Sequence, residues 1–503
     1  MNLILTALRR HAADHPRRLA MQDGMTSLTY EELLHQATEL AQRLRALEPH
    51  GVAVFADNGC AWALADIALH VAGIPSIPLP LFFSSKQIAH AIRASGADRI
   101  LTDQPSRVNQ ALGVNIEPAP FHRDLQLLTL PGPTSIGAEL APGTTKITFT
   151  SGTTGEPKGV CLGRDQIETV AQSLRTASVA SADDCHLCLL PLATLLENIA
   201  GLYTPLLAGA RICIPSLSQV GLAGSSGLDV SQMVTALNTW RPSSLITVPQ
   251  TLQALVGAAQ AGLPMPSTLR YVAVGGAPVS AELLRIAQTM GLPVYEGFGL
   301  SECGSVVAVN RPGENRPGSV GKPLAHVRLD FAADGEILLL GVPWRGYLNG
   351  DAPPRLEDGR LATGDIGHLD EDGFLHVTGR KKNIFITSFG RNVAPEWIER
   401  ELVLQAPVLQ AAVFGEGRRF NTAIVFASPD ADAASIDAAI ESANRLLPDY
   451  ARVTAWIRAG EPFTPANGTL THNGRPRREV LLSKYTVQLN AIYQSTHETR
   501  HHS

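Results

Sequence analysis

Short apolar runs alternate with helix-periodic segments through much of the chain. VAVFADN (52–58) and IPSIPLP (74–80) read as buried strands, and ALADIALHVAG between them reads as a helix. The alternation recurs as RICIPS (211–216), a helix around 231–240, SLITVP (244–249), a helix around 250–261, YVAVGG (271–276), a helix around 280–290 and PVYEGFG (293–299). Residues 28–46 carry apolar positions at helical spacing, with an N-cap expected at Thr26 or Ser27. The opening MNLILTALRRHAADHP reads as an amphipathic first helix. Such strand–helix alternation predicts parallel sheet with helices on its faces. Residues 102–121 and 131–145 are richer in Pro, Gly and polar side chains and are expected to be loops, and QVGLAGSSGLDV (219–230) a surface loop.

The texture changes near residue 317. VRLDFAADGEILLLG predicts a hairpin turning at Asp334-Gly335, and HLDEDGFLHVTG another turning at Asp372-Gly373. After GRKKN (379–383) come IFITS, a helix opening at Pro395, strands AAVFGE and TAIVFAS, and a helix over 433–447. The expected architecture is α/β. A large N-terminal domain (1–379) has stacked mixed or parallel sheets flanked by helices, plus a hairpin-rich subdomain. A small α+β C-terminal domain (380–503) follows.

Length and composition narrow the class. A chain of 503 residues, 45% hydrophobic and 17% charged, is a folded protein of two or more domains. Net charge is -5, and no basic tract argues for nucleic acid. Six cysteines make no disulfide scaffold at this length. Cys185 and Cys188 form a lone CxxC without a second pair at zinc spacing and read as part of a buried strand. A reducing compartment is expected. The N-terminus lacks the order of a signal peptide, and no run approaches the ~18 apolar residues of a membrane span. A soluble, cytoplasmic protein is expected.

The chemistry concentrates first in ITFTSGTTGEPKGV (147–160). An apolar strand breaks into the hydroxyls of Thr150, Ser151, Thr153 and Thr154. Gly152 and Gly155 let backbone N–H groups close on an anion, and Lys158 adds a mobile positive charge. The composite is a polyphosphate cradle, with neither the glycine spacing nor the hydroxyl of GxxxxGK[ST]. In VYEGFGLSECGS (294–305), Gly297 and Gly299 open a turn at the carboxyl edge of a sheet, where open α/β sheets bind ligands. Phe298 can stack on a purine, and Glu302 offers carboxylate oxygen to Mg2+. In LATGDIGHLDEDGFLHVTGRKKN (361–383), Asp365 sits in a turn where a carboxylate can accept from both ribose hydroxyls, with Arg380 placed to help.

These tracts, in this order along almost the whole chain, resemble the adenylate-forming superfamily. It includes acyl-CoA synthetases, firefly-type luciferases and the adenylation domains of peptide synthetases. The resemblance makes 147–160 the phosphate loop. It makes Glu296, Gly297, Phe298, Gly299, Ser301 and Glu302 the adenine and magnesium motif, with Phe298 where Tyr or Trp is common and Ser301 where Thr is common. Gly276, Ala277 and Pro278 resemble the backbone lining the adenine pocket. Lys382 falls on the hinge of a mobile C-terminal domain. LPLATLLENIAGLY (190–203) resembles the helix bordering the acid pocket, with Thr194 where a gating His is common and Glu197 as in long-chain acyl-CoA synthetases. ITSFGRNVAPEWIE (386–399) resembles the segment facing the thiol, where Gly390 leaves room for pantetheine. The family's Thr-x-x-Gly-Lys pattern is Thr471-His472-Asn473-Gly474-Arg475 here. Arg475 keeps the charge of the adenylation Lys with a longer, planar head.

The resemblance implies an acid–thiol ligase using ATP and Mg2+. It would activate a medium- or long-chain fatty acid and pass it to CoA. No anchor for an amino group is evident. Two alternatives stay open: an acyl-AMP ligase that loads the phosphopantetheine of an acyl carrier protein, and a nucleotide-binding homologue whose adenylation is impaired by Arg475. An apolar acid also leaves peripheral membrane contact open.

Overall fold

The structure is a computed structural model that describes residues 2–130, 140–150, 157–224, 227–348, 356, 358–389, 391–471 and 474–498. Buried apolar runs form the centres of two large sheets. In the first, Val52–Phe55 lies between the parallel strands Ser76–Pro78 and Arg99–Thr102. Ser76–Pro78 continues, in parallel, to Thr144–Thr150, which pairs antiparallel with Lys158–Gly163; that strand pairs antiparallel with Gly346–Tyr347. In the second, Cys185–Leu187, Ser244–Thr247, Tyr271–Val274 and Val294–Phe298 are successive parallel neighbours. Their carboxyl ends therefore share one edge, which sets the turns at Gly276 and Gly299 side by side.

The helix Cys60–Ala72 is apolar almost all round and buried along its length. Its one acid, Asp66, is met inside the core by Lys146. The Lys146 Nζ lies 2.8 Å from each Asp66 oxygen and 2.5 Å from Asn198 Oδ1, while Tyr203 Oη donates to Asp66 Oδ2 at 2.8 Å. Helix Tyr30–Ala46 is capped by Thr29 rather than by Thr26 or Ser27, because Thr29 and Glu32 complete a capping box.

The two expected hairpins join into a four-stranded sheet of Arg328–Phe331, Glu336–Leu340, Leu361–Leu369 and Leu375–Arg380, which sets Asp365 opposite Arg380. Beyond it, Val408–Phe414, Asn421–Ala427 and Val453–Arg458 form a three-stranded sheet with helices Pro395–Val403, Ala433–Asn444 and Arg478–Glu498. The architecture is thus a large N-terminal domain of mixed sheets and helices with a smaller C-terminal α+β domain.

Three segments differ from the sequence reading. Residues 102–121 contain the helix Pro105–Leu112, with Pro at its start, Gly113 as its left-handed cap and Val108 buried, and then the strand Ala119–His122. Within 131–145, residues 131–139 lie outside the described residues, and Thr144 already belongs to a strand. The segment 219–230 includes a short hairpin of Leu222–Ala223 with Gly227–Leu228. Among the described residues no helix is long and apolar enough to cross a membrane.

Candidate functional site

The strands Thr144–Thr150 and Lys158–Gly163 end in register, Thr150 opposite Lys158. Ser151, Gly152, Thr153, Thr154 and Gly155 lie outside the described residues. Thr150 and Lys158 line a cavity of about 1730 Å³ that runs between the large domain and the small one. The side of the cavity nearest the second sheet is the carboxyl edge set up by the parallel strands. Gly276, Ala277 and Pro278 follow one strand; Gly297 and Phe298 end the next, paired with Val309 and Ala308, so the turn opens at Gly299 rather than at Gly297, and with Ser301 all line the cavity. Gly299 is obligatory: a Cβ there would stand 1.7 Å from the Ser305 carbonyl oxygen.

Glu302 leads into the same cavity from a single helical turn, Ser301–Cys303. Its backbone carbonyl accepts from Gln166 Nε2 at 2.7 Å, and its Oε1 accepts from Tyr347 Oη at 2.6 Å. The Lys158 Nζ lies 5.4 Å from the centre of the Tyr347 ring. Tyr347 is the site residue that the sequence reading missed. It lies in a two-residue strand too short to show a pattern, and its partners are remote in sequence.

Asp365 is buried, and its Oδ1 pairs with Arg380 Nε at 2.7 Å. Its Oδ2 is also buried and accepts no hydrogen bond. Burial pushes the carboxyl up to about 6, with Arg380 and then Arg475 opposing the rise. A buried acceptor oxygen without a donor, facing a cavity, suits a hydroxyl-bearing ligand such as a ribose. Glu296 is buried deeper in its strand, and burial pushes its carboxyl up to about 7 against the pull of Arg400.

Arg380, at the end of the hairpin strand, and Lys382 and Arg475 beyond it also line the cavity wall. Arg475 Nη2 donates to the Gly276 carbonyl at 3.1 Å. The loop holding it closes on itself, with Arg475 N donating to Thr471 Oγ1 at 3.0 Å. The head of Arg475 meets solvent inside the cleft. Desolvation by the surrounding protein and then the nearby Arg380 lower its pKa, with Asp365 opposing. The basic run divides here. All three arginines of the run line the cavity, but Arg478 is held by Glu399 at 2.6 and 2.7 Å, whereas Arg475 reaches across to the Gly276 carbonyl.

Thr194 lines the cavity, its hydroxyl donating to the Pro191 carbonyl at 2.6 Å. Leu195, Ala200, Ile246, Val248 and Ala254 give the adjoining wall its apolar character. Glu197 is fully buried at the start of a wide helical turn, Glu197–Tyr203, where Oε1 lies 3.0 Å from His186 Nε2 and Oε2 accepts from Leu190 N. His186 Nδ1 is occupied by Ser244 Oγ at 3.0 Å. Cys188 is buried nearby, just past the strand that holds Cys185, and the His186–Glu197 pair is a hydrogen-bonded part of the core. Gly390 lies outside the described residues.

Residues 8–346 match the family model described as AMP-binding enzyme, and residues 382–497 match the AMP-binding enzyme C-terminal domain. A long-chain-fatty-acid–CoA ligase of Mycobacterium bovis is 25% identical over 96% of each chain. A 2-succinylbenzoate–CoA ligase of Bacillus licheniformis is 26% identical over 81% of this chain and 86% of its own. Among solved structures, the anthranilate CoA ligase AuaEII in complex with anthranoyl-AMP superimposes with a TM-score of 0.81 at 19% identity, over 97% of this chain and 98% of that one. The o-succinylbenzoate CoA synthetase of Bacillus subtilis with its acyl-adenylate follows at 0.75 and 21% identity, over 94% and 97%.

Proposed function

This chain belongs to the AMP-binding enzyme family, and from that premise we propose that it joins a carboxylic acid to CoA through an acyl-adenylate. The observation that carries the reading is the unpartnered, buried Oδ2 of Asp365 in the cavity that Arg475 also lines. Asp365 and Arg380 hold the ribose, while Gly276, Ala277, Pro278 and Phe298 form the adenine slot. Thr150 and Lys158 receive the phosphates.

In the first half-reaction the acid's carboxylate attacks the α-phosphate of ATP, and pyrophosphate leaves. Arg475 steadies the charge that builds on the α-phosphate, and Lys158 neutralises the leaving phosphates. Glu302 would hold Mg2+, since a carboxylate lining the cavity suits a hard cation, and the ion would supply further charge neutralisation on the phosphates. Placing two anions together is the difficult step, so positioning supplies much of the rate. In the second half-reaction the small domain turns about Lys382, Arg475 leaves, and the thiol approaches along Gly390. The thiol then attacks the acyl carbonyl, and AMP leaves.

The proposed acid is a medium- or long-chain fatty acid, supported by the apolar wall beside Thr194 and by the long-chain ligase among the relatives. The aryl-acid ligases among the relatives favour a second reading, an aromatic acid. A cytoplasmic location belongs to the proposal, supported by six cysteines that are all free thiols. ATP–pyrophosphate exchange with fatty, aryl and amino acids tests the substrate class. Exchange is expected with fatty acids, and exchange driven only by amino acids would overturn the assignment.

A further inference from the structure

The strand that begins at Lys158 and the turn that holds Glu302 belong to different sheet regions, yet one side chain touches both. Tyr347 Oη donates to Glu302 Oε1 at 2.6 Å, and its ring lies 5.4 Å from Lys158 Nζ. Tyr347 is fixed from the backbone, paired with Val160 at the edge of the first sheet. The Trp344 ring packs edge-on against it at 4.9 Å. Close approach of its strand depends on Gly159, because a Cβ there would stand 2.3 Å from Leu348 Cδ1.

We propose that Tyr347 is a positioning residue for the metal–triphosphate. Its hydroxyl orients the Glu302 carboxylate, and its ring steers the Lys158 ammonium. The inference rests on the roles of Glu302 and Lys158 given under the proposed function.

A carboxylate that must bind a cation is best held by a donor on one oxygen, which leaves the other for the ion. Such outer partners typically change metal affinity by about 10–100-fold when removed. The ring does separate work: an ammonium over an aromatic face is held there by attraction without being neutralised by the ring.

Two substitutions separate the contributions. Tyr347→Phe removes the hydroxyl and keeps the ring; Tyr347→Leu removes both. The full-length protein is titrated with Mn2+ at saturating ATP and no acid, with bound Mn2+ read by electron paramagnetic resonance. ATP binding is measured in parallel in EDTA, and thermal melting reports the fold. Tyr347→Phe should weaken Mn2+ binding about tenfold while leaving metal-free ATP binding and melting near the wild type. Tyr347→Leu should weaken both Mn2+ and metal-free ATP binding. Wild-type Mn2+ affinity in Tyr347→Phe overturns the positioning role alone. A wild-type protein that binds no Mn2+ with ATP overturns the roles of Glu302 and Lys158, and this proposal with them.

Discussion

Arg475 donates from Nη2 to the carbonyl oxygen of Gly276 across 3.1 Å, joining positions 199 residues apart. That bond sets the cationic side chain against the strand end at Gly276. Arg475→Ala is expected to raise the barrier to acyl-AMP formation by about 2–4 kcal/mol, the range for losing one preorganised charge-stabilising donor. Thioester formation from supplied acyl-AMP should be largely spared, and Arg475→Lys should retain adenylation. Rapid-quench measurement of each half-reaction checks this; equal slowing of both halves by Arg475→Ala contradicts it. Lys382→Pro should show the opposite split, because a fixed φ resists rotation at a hinge.

Asp365 ties function to a stability cost. Its carboxyl is pushed up to about 6 by burial, so the folded protein holds that proton more tightly than the unfolded chain does. The sign follows: the raised group favours folding at low pH, and this contribution is lost as pH rises from the ordinary carboxylate range through about 6. At pH 7.5 the ionised carboxylate costs up to about 3 kcal/mol. Asp365→Asn should therefore melt higher than the wild type at pH 7.5, with the difference shrinking towards pH 4, while ATP binding weakens at pH 7.5. Calorimetric melts across pH, paired with nucleotide titration, check both; a lower melting temperature at pH 7.5 contradicts the reading.

The apolar wall beside Thr194 sets an expectation for chain length. Each buried methylene contributes roughly 0.8 kcal/mol, or about fourfold in kcat/KM, until the cavity is full. A saturated fatty-acid series should show this rise and then a plateau. A flat series would remove the fatty-acid assignment and leave the aromatic one.

Lys146 and Asp66 form a buried ion pair in which Asp66 also accepts from Ser76, Asn198 and Tyr203. Removing one member leaves an uncompensated charge in the core, so Lys146→Met should destabilise the fold by about 3–5 kcal/mol. Urea unfolding checks this, and a loss below about 1 kcal/mol would mean the site relaxes or admits water.

The alternation of strands and helices was legible because each run was apolar at its own period. The hairpins at 334–335 and 372–373 carried direct backbone signals, whereas the turn expected at Gly297 begins only at Gly299, because Gly297 pairs with Val309 inside the strand. The helix Pro105–Leu112 was hidden by polar composition, although Pro105 and Gly113 bracket it as start and stop signals. Tyr347 could not be read locally: its partner Glu302 is 45 residues away, and the strand holding it has two residues. Glu197 sits in an apolar segment, and its pairing with His186 depends on the strand pairing that sets His186 beside Ser244. Tertiary pairing, not periodicity, decides such positions.

The central claim, ATP-dependent ligation of an acid to CoA, is tested most directly by one incubation. Purified protein is given ATP, Mg2+, CoA and a set of fatty and aryl acids, with pyrophosphate and AMP quantified and thioesters identified by mass. The account expects pyrophosphate, AMP and acyl-CoA in equal amounts for at least one acid, and none without Mg2+. Pyrophosphate release without acyl-CoA, restored to thioester only by a phosphopantetheinylated carrier protein, contradicts CoA as the acceptor. No pyrophosphate with any acid contradicts the account at its root.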